Sequence, residues 1–298
     1  MAKLTIIVDG NLIARKSFHT LNSFHLEDGT PTGVMYGCIN TLLMLINKFN
    51  PDQIIWCWDG GSQRRKKLDA TYKANRVLAN DSPLFTDHFF QQVGITEQLM
   101  NMMGVDQGYM PGEEADDVIG TLATRFAQNK EDTVMIVSND YDFMQLLETD
   151  NICMFWSSKD KEMLYNKQKI QEEFGIDPKQ FVDVYALAGD KTDNITGCPG
   201  IGEKGAINLI KELKTVDSLI EKAEALLPKK KADALLAVKN KILLNKQLVK
   251  IVTDLPVELI KGKPELDTVK VLFREWFGFY NFLGRWDEIT NIATKGVK

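Results

Sequence analysis

Three short apolar runs, each followed within three residues by an aspartate, constrain the fold of this chain most strongly. The runs are Leu4 to Val8, Gln53 to Trp58 and Thr133 to Val137. Each is rich in β-branched or aromatic residues and too short for a helix, which is typical of buried parallel strands. The aspartates are Asp9, Asp59 and Asp140. Ligands of open parallel sheets bind beyond the carboxyl ends of the strands, so we expect these three carboxylates at one functional edge.

Helical patterns separate the three runs. Apolar residues recur at helical spacing from Gly33 to Asn47 and from Asp117 to Phe126, and strands that alternate with helices predict an α/β core with a parallel sheet. After Lys167 the pattern is helical throughout. We therefore expect an α/β domain over residues 1–170 and a helical domain over residues 171–298.

The overall charge does not decide the kind of partner. The formal net charge of -5 disfavours a nucleic-acid partner at first sight. Nine acidic residues fall in the motifs described below, however, and metal ions that neutralised these nine would change -5 to about +4. No apolar run approaches the roughly 20 residues that span a bilayer, there is no signal-peptide layout, and the four cysteines form no CxxC pair. We expect a cytoplasmic monomer with reduced cysteines and no membrane partner.

Acidic residues form five short motifs. They are Val8-Asp9-Gly10, Trp58-Asp59-Gly60, Glu114-Ala115-Asp116-Asp117, Asn139-Asp140-Tyr141-Asp142 and Gly189-Asp190-Lys191-Thr192-Asp193-Asn194. An aspartate alone after a strand is usually a turn or cap residue, but five such motifs on one scaffold indicate a functional cluster. Clustered carboxylates destabilise a fold unless cations neutralise them. Ligands that are all oxygen suit Mg²⁺ or Mn²⁺ and argue against zinc.

Nine carboxylates are therefore the candidate metal ligands: Asp9, Asp59, Glu114, Asp116, Asp117, Asp140, Asp142, Asp190 and Asp193. Two ions about 4 Å apart are the usual apparatus for phosphodiester hydrolysis, one activating a water and one stabilising the leaving oxygen. The three-residue spacing of Asp190 and Asp193 places both on one face of a helix or turn. Glu114 shares that spacing with Asp117, but it could also lie in a loop with Asp116 on the first helical turn. The spacing does not fix which pair binds a metal.

Basic residues concentrate between Arg64 and Asn80. We expect this segment to project from the core, and an isolated charge run is usually a solvated surface. The candidate DNA-binding residues in it are Arg64, Arg65, Lys66 and Lys67. Arg15, Lys73 and Arg76 are candidates for holding the scissile phosphate, because a transition state that gains charge needs fixed cations. Tyr72 is a candidate for stacking on a base.

A glycine-rich turn runs from Gly197 to Gly205 and precedes a helical pattern that ends near Leu213. Glycines let the backbone approach a phosphate closely, and the helix N-terminus offers unpaired N–H donors. Gly200, Gly202 and Lys204 are therefore candidate DNA-backbone contacts. We expect a helix-hairpin-helix element over about residues 185–215, although the same turn is also compatible with a plain interhelical connection.

The ordered motifs resemble the flap endonuclease family, which includes the 5′-nuclease domain of bacterial DNA polymerase I and stand-alone phage 5′-nucleases. The resemblance covers nearly the whole chain. Its motifs are Ile6 to Gly10, Pro31 to Gly37, Tyr72-Lys73 with Arg76, Glu114 to Gly120, Asp190 to Asn194, Pro199 to Lys204 and the stretch from Leu272-Phe273 to Arg285-Trp286.

The resemblance implies a PIN-like sheet, a helical arch at about residues 64–95 and a C-terminal helix-three-turn-helix module that binds DNA. It implies 5′→3′ exonuclease and flap endonuclease activity, and removal of RNA primers or flaps during replication or repair. One metal site would use Asp9, Asp59, Glu114, Asp116, Asp117 and Asp140, and the second would use Asp142, Asp190 and Asp193, with some sharing. Lys73 and Arg76 would contact the scissile phosphate with help from Arg15. Gly197, Gly200 and Gly202 would hold K⁺.

The sequence departs from the family pattern at two places. Ser138-Asn139 stands where the family usually has Thr-Gly, and Tyr141 stands where a lysine is common. Neither change removes a carboxylate, but the loss of the lysine could weaken a substrate contact. No polymerase domain follows Lys298, so we expect the protein to act alone or with a separate polymerase and single-strand-binding protein. The substrates that the resemblance implies are DNA with a 5′ flap, a 5′ overhang or an RNA/DNA 5′ segment.

Three other functions compete with this interpretation. A ribonuclease of related fold is disfavoured by the glycine turn and the basic segment. A non-catalytic DNA-structure binder is disfavoured because all nine carboxylates are present. A nucleotide-binding α/β protein is disfavoured because no GxGxxG motif or P-loop follows the first apolar run.

Overall fold

The strands and helices follow one another along the chain much as the apolar pattern predicts. The computed structural model describes residues 2–79, 83–158 and 160–295. The strands are β1 (Leu4–Asp9), β2 (Gln53–Cys57), β3 (Asp106–Gly108), β4 (Thr133–Val137), β5 (Ile152–Ser157), β6 (Glu162–Tyr165), β7 (Gly189–Asp190), β8 (Ile195–Thr196) and β9 (Leu259–Ile260). All three predicted strands are present as β1, β2 and β4, with ends that differ from prediction by at most one residue.

The α-helices in the described part of the chain are α1 (Gly10–Thr20), α2 (Gly33–Phe49), α3 (Gln63–Leu68), α4 (Ala74–Ala79), α5 (Pro83–Met102), α6 (Ala115–Phe126), α7 (Lys167–Phe174), α8 (Phe181–Ala188), α9 (Glu203–Leu213), α10 (Val216–Glu221), α11 (Ala223–Leu226), α12 (Lys229–Val249), α13 (Leu266–Val271), α14 (Tyr280–Leu283) and α15 (Trp286–Lys295). Short 3₁₀-helices cover Tyr141–Leu146 and Pro178–Gln180, and a π-helix covers Leu272–Trp276. None of the helices described is long and apolar enough to cross a membrane.

The chain forms two compact units that are interleaved in sequence. The first comprises Met1–Gly61, Asp81–Asn139 and Thr253–Lys298, and the second comprises Ser62–Asn80 and Asp140–Val252. The predicted domains, residues 1–170 and 171–298, are continuous, and that sequence division stays a prediction. The predicted arch, about residues 64–95, includes residues 80–82, which lie outside the described residues.

The first unit is built on a parallel sheet with strand order β4-β1-β2-β3-β9, in which only β9 is antiparallel to its neighbour. Ile6, Ile7 and Val8 of the central strand are fully buried, which explains the continuous apolar run because helices cover both faces. In register, Asp9 pairs with Cys57, and Val8 pairs with Val137. The carboxyl ends of β1, β2 and β4 therefore meet at one edge, and the predicted α/β class with a parallel sheet is confirmed.

The second unit combines helices with two antiparallel strand pairs, β5 with β6 and β7 with β8. The segment from α8 to α9 has the predicted helix, glycine-rich connection and helix. α7 ends at Phe174, after which Gly175 adopts φ of 70° and Pro178 opens the next helical turn. The helical character of the C-terminal part of the chain is confirmed.

Candidate active site

Asp9 ends the central strand of the first unit and begins the helix that follows it. Its Oδ1 accepts a hydrogen bond from the Leu12 N–H at 3.0 Å, so the carboxylate is the N-cap of α1. Its Oδ2 accepts from the Ser138 hydroxyl, also at 3.0 Å. The sharp passage from strand to helix requires glycine at position 10, because a Cβ there would lie 2.6 Å from the Cys57 carbonyl oxygen. Asp9 is 6% exposed, and a hydrogen bond to each carboxylate oxygen fixes the orientation of its side chain.

Asp59 follows the neighbouring strand and is exposed. Its backbone N–H donates to the side-chain oxygen of Asn11 at 2.9 Å, and its Oδ1 accepts from the Gly61 N–H at 2.7 Å. Gly60 is required at this turn because a Cβ there would lie 1.9 Å from the Met110 carbonyl oxygen. Asn11 was not among the predicted site residues. Its position two residues after Asp9, in the same strand-end motif, is the signal that could have identified it.

Glu114, Asp116 and Asp117 lie at the start of α6, which settles the alternative that the spacing left open. Glu114 is the N-cap in extended conformation, and both aspartates lie in the first helical turn. The positive end of the helix dipole stabilises carboxylates at this position. Glu114 is 3% exposed and Asp117 is fully buried. Five of the nine predicted ligands thus belong to the first unit, after strands or at a helix start.

The other four predicted ligands belong to the second unit. Asp140 caps the 3₁₀-helix Tyr141–Leu146, and its Oδ1 accepts from the Asp142 N–H at 2.9 Å. Burial raises the pKa of Asp142 well above its usual range, and the carboxylates of Asp140, Asp190 and Asp193 raise it further. Burial also raises the pKa of Asp140. These four carboxylates lie close enough to feel one another's charge, which is the electrostatic signature of a site for cations.

Asp193 is bound to the three basic-segment residues that were predicted to act on substrate. The Tyr72 hydroxyl donates to Asp193 Oδ2 at 2.8 Å, Lys73 Nζ lies 3.6 Å from the same oxygen, and an Arg76 guanidinium nitrogen donates to Oδ1. A backbone hydrogen bond adds to these contacts, because the Lys73 N–H donates to the Asp193 carbonyl oxygen at 3.0 Å. Asp193 therefore fixes the positions of Lys73 and Arg76.

Burial argues against two of the predicted substrate contacts. Tyr72 is 3% exposed, so its ring presents no face on which a base could stack, and its hydroxyl instead positions Asp193. Arg65 is 4% exposed, and its guanidinium donates to the carbonyls of Leu248 at 2.7 Å and Lys250 at 3.2 Å. Arg65 is a structural residue of the second unit. Its neighbours Arg64, Lys66 and Lys67 are exposed, as a DNA-binding role requires.

Arg15 lies in α1 of the first unit, with its Cζ 5.3 Å from the centroid of the Phe89 ring. This cation–π contact holds the guanidinium close to the helix surface. Arg15 belongs to the first unit, whereas Lys73 and Arg76 belong to the second.

The glycine turn leaves its backbone open. Gly200 adopts φ of +78°, and a Cβ on Gly200 or Gly202 would meet nothing within 4 Å. Gly202 is the N-cap of α9. Gly197, in contrast, packs against the Ala188 carbonyl, 2.3 Å from the position of a Cβ. Lys204 is exposed in the first turn of α9. This open backbone at a helix N-terminus can accept a phosphate; K⁺ binding here stays a prediction.

Among the residues that the structure describes, no three Asp, Glu, His or Cys side chains are already arranged as a metal site. The donor set is nevertheless suited to hard divalent ions, because the candidate ligands are carboxylates without histidine or cysteine. Carboxylates that follow parallel strands or open a helix are typical of enzymes that bind divalent ions to hydrolyse phosphodiester bonds.

Comparison with known proteins identifies the family. Residues 4–175 match the 5′-3′ exonuclease N-terminal resolvase-like domain, and residues 176–269 match the 5′-3′ exonuclease C-terminal SAM fold. The chain therefore belongs to the 5′-3′ exonuclease family, and the resemblance inferred from the motifs is confirmed.

Similar proteins include stand-alone nucleases and polymerases. The chain is 33% identical to a 5′-3′ exonuclease of Buchnera aphidicola, over 93% of this chain and 97% of that protein. It is 34% identical to DNA polymerase I of Chloroflexus aurantiacus, over 86% of this chain and 27% of that protein. Its fold matches the bacteriophage T5 flap endonuclease, solved as a pseudo-enzyme-product complex with DNA and metal ions, with TM-score 0.69, 21% identity and coverage of 99% of this chain and 100% of that one.

Proposed function

We propose that this chain is a structure-specific 5′-nuclease that acts both as a 5′→3′ exonuclease and as a flap endonuclease. It hydrolyses phosphodiester bonds of DNA near 5′ ends or at junctions of single and double strands. The observation that carries this proposal is the placement of the carboxylates. Asp9 and Asp59 follow adjacent parallel strands, and Glu114, Asp116 and Asp117 open one helix, in a chain that belongs to the 5′-3′ exonuclease family.

The cofactor in this proposal is a pair of Mg²⁺ ions, for which Mn²⁺ can substitute. The nine carboxylates fit these ions because all the ligands are hard oxygens. The raised pKa values of Asp140 and Asp142 support the fit, since burial and then the neighbouring carboxylates disfavour the ionised side chains, and a bound cation would offset both effects. When bound, divalent ions supply an activated water and stabilise the leaving oxygen. The carboxylates hold the ions and set their positions.

The basic residues supply fixed positive charge to the substrate. Lys73 and Arg76 are held in place by Asp193, so little reorganisation is needed when a phosphate gains charge in the transition state. Arg15 contributes a third cation from α1. The accessible backbone at Gly200 and Gly202, together with the exposed Lys204 side chain, binds the phosphates of the duplex. The same turn holds K⁺ through Gly197, Gly200 and Gly202.

The cellular role that follows is removal of RNA primers or 5′ flaps during DNA replication or repair. Its substrates are DNA with a 5′ flap, a 5′ overhang or an RNA/DNA 5′ segment. A monomer working beside a separate DNA polymerase and a single-strand-binding protein fits a family whose members include both stand-alone exonucleases and DNA polymerase I. The four cysteines are buried, which fits the reducing cytoplasm.

The test is cleavage of 5′-end-labelled substrates by the wild-type protein with Mg²⁺. The panel contains a 5′-flap duplex, a matched 3′-flap duplex and a blunt duplex. Cutting at the 5′-flap junction, with the 3′ flap intact and no cutting in EDTA, supports the proposal. Tight flap binding without cutting would instead make the protein a non-catalytic DNA-structure binder, and cutting in EDTA would refute the metal mechanism.

A further inference from the structure

A cleft of about 460 Å³ lies within the second unit, between the start of α8 and the ends of α9 and α12. Its volume falls in the roughly 300–1,000 Å³ range of protein ligand sites. It is lined by residues other than the predicted site residues. The charged side chains of the lining are Lys179, Lys214, Lys246, Lys250, Asp177 and Asp183. Four lysines and two aspartates give the lining a positive formal charge.

One of the four lysines is already neutralised by carboxylates. Lys246 Nζ lies 2.9 Å from Asp183 Oδ1 and 2.5 Å from Asp217 Oδ2. Asp183 Oδ1 also accepts a hydrogen bond from the Val216 N–H at 3.1 Å. These bonds fix the position of Lys246, so it forms part of a rigid polar wall and adds no uncompensated charge.

The other three lysines carry uncompensated charge. Within the part of the chain that the structure describes, the ammonium groups of Lys179, Lys214 and Lys250 pair with no carboxylate. All three are exposed, and they come from the 3₁₀-helix Pro178–Gln180 and from the residues that follow α9 and α12. Lys214 adopts φ of 72°, a left-handed conformation that favours glycine. Backbone strain of this kind concentrates at functional sites, which supports a function for the Lys214 side chain.

The cleft is separate from the glycine turn to which the proposed function assigns DNA. Gly202 precedes α9, whereas Lys214 follows the same helix. The eleven residues of α9 place roughly 16 Å between the two positions. The cleft therefore lies at the opposite end of α9 from the turn.

The chemistry of the lining suits separated carboxylates better than a phosphate. Phosphates are commonly held by arginine forks or by unpaired N–H groups at helix N-termini. The cations of this cleft are lysines, which act as point charges, and the Val216 N–H at the start of α10 already donates to Asp183. The lining also includes half-buried Val182 and the aliphatic stems of the lysines. The cleft thus combines separated cations with an apolar surface.

We propose that this cleft binds an acidic peptide segment of a partner protein, in which carboxylates flank an apolar side chain. The carboxylates pair with Lys179, Lys214 and Lys250, and the apolar side chain packs on Val182. Complementary charge of this kind governs the choice of partner and the rate of association. The inference goes beyond the proposed nuclease function and does not depend on it.

The experiment measures the fluorescence anisotropy of a labelled probe peptide, in which four aspartates surround two leucines, with the full-length protein at low salt. The cleft variant is Lys179→Gln/Lys214→Gln/Lys250→Gln. An exposed ion pair changes affinity by roughly 1.4- to 5-fold, so the cleft variant is expected to bind the probe roughly 3- to 150-fold more weakly than wild type.

The matched control is Lys222→Gln/Lys230→Gln/Lys239→Gln. It removes the same charge from exposed positions of the same unit outside the cleft, and it is expected to bind the probe like wild type. A neutral probe with serines in place of the aspartates is expected to bind wild type and the cleft variant equally weakly.

Two further measurements separate binding from a structural effect. Lys214→Gly suits the left-handed conformation, so it is expected to weaken probe binding roughly 1.4- to 5-fold without lowering the melting temperature. The cleft variant is expected to cut a 5′-flap duplex at the wild-type rate. If wild type cuts no 5′ flap, the proposed nuclease function fails, and the probe measurements still decide whether the cleft binds an acidic peptide.

The proposal is overturned if wild type shows no saturable binding of the acidic probe, or if the cleft and control variants weaken that binding equally. Displacement of the probe by an equal concentration of inorganic phosphate would make the cleft a phosphate site. A cleft variant that loses affinity for the flap duplex but keeps affinity for the probe would make it a DNA contact. Either result would also overturn the proposal.

Discussion

Arg65 and Lys66 are adjacent in α3 and carry the same charge, yet the structure gives them different roles. Arg65 is buried, with its guanidinium on the carbonyls of Leu248 and Lys250, whereas Lys66 is exposed. Arg65→Ala takes the donor from two carbonyls, and each buried polar group left unpaired costs about 1–3 kcal/mol. Lost packing of the side-chain stem adds to this. We expect the free energy of unfolding to fall by about 3–5 kcal/mol.

Lys66→Ala is the matched control, because it removes one positive charge from the same helix. Its free energy of unfolding is expected to stay within about 0.5 kcal/mol of wild type. Its DNA affinity is expected to depend less steeply on salt. The slope of the logarithm of the binding constant against the logarithm of the salt concentration should shrink by about one unit, the share of one phosphate contact. Urea unfolding followed by circular dichroism gives the stabilities, and flap binding from low to moderate salt gives the slopes.

The result that would refute this reasoning is a reversal of the two variants. Suppose that the free energy of unfolding of Arg65→Ala lies within about 1 kcal/mol of wild type and that the salt dependence of its DNA binding falls by one unit. Arg65 then binds phosphate, and its assignment as a structural residue is wrong. A stable Lys66→Ala with an unchanged slope would remove only Lys66 from the DNA-binding surface.

Three further predictions concern the second unit. Tyr72→Phe removes the hydroxyl from Asp193 but leaves both cations in place, so urea unfolding should show a loss of about 1–2 kcal/mol. Lys73→Ala should slow single-turnover cleavage by roughly 10²-fold and weaken flap binding less; equal losses would make it only a binding residue. The hydrogen bond that the Lys241 ammonium group donates to Asp69 holds the pKa of this carboxylate at about 2, below the usual 3.8. The stability it gives is present above that usual value and lost as pH falls towards 2. Melting temperatures of wild type and Asp69→Asn should therefore converge between pH 5 and pH 2, and a constant difference would contradict the ion pair.

The apolar pattern predicts the sheet well because buried parallel strands are continuous apolar runs. Leu4–Asp9 and Thr133–Val137 match their predicted ranges within one residue. The interleaving of the two units was not predictable, because it depends on tertiary contacts between distant segments. Arg125, for example, donates to the Val257 carbonyl at 2.8 Å, across 132 residues of sequence. Such a contact leaves no periodic signal in either segment.

The candidate site was also predictable from the sequence only in part. Asp9 and Asp59 were placed correctly from the sequence because the end of a buried strand fixes the position of the next residue. The burial of Arg65 and Tyr72 was not predicted, because whether a polar side chain is buried depends on its partner. The carbonyl that accepts from Arg65 Nε lies 183 residues away, so a run of four basic residues cannot reveal which one faces inward.

In the proposed function, metal-dependent cleavage requires carboxylates of the first unit and carboxylates of the second. The most direct measurement is single-turnover cleavage of a 5′-labelled flap with Mg²⁺ by wild type, Asp59→Asn and Asp142→Asn. Asp28→Asn is the control, since it makes the same charge change in an exposed loop of the first unit. We predict at least roughly 10²-fold slower cleavage for Asp59→Asn and Asp142→Asn, with flap binding retained and Asp28→Asn unchanged. Cleavage by either site variant at the wild-type rate would contradict the claim.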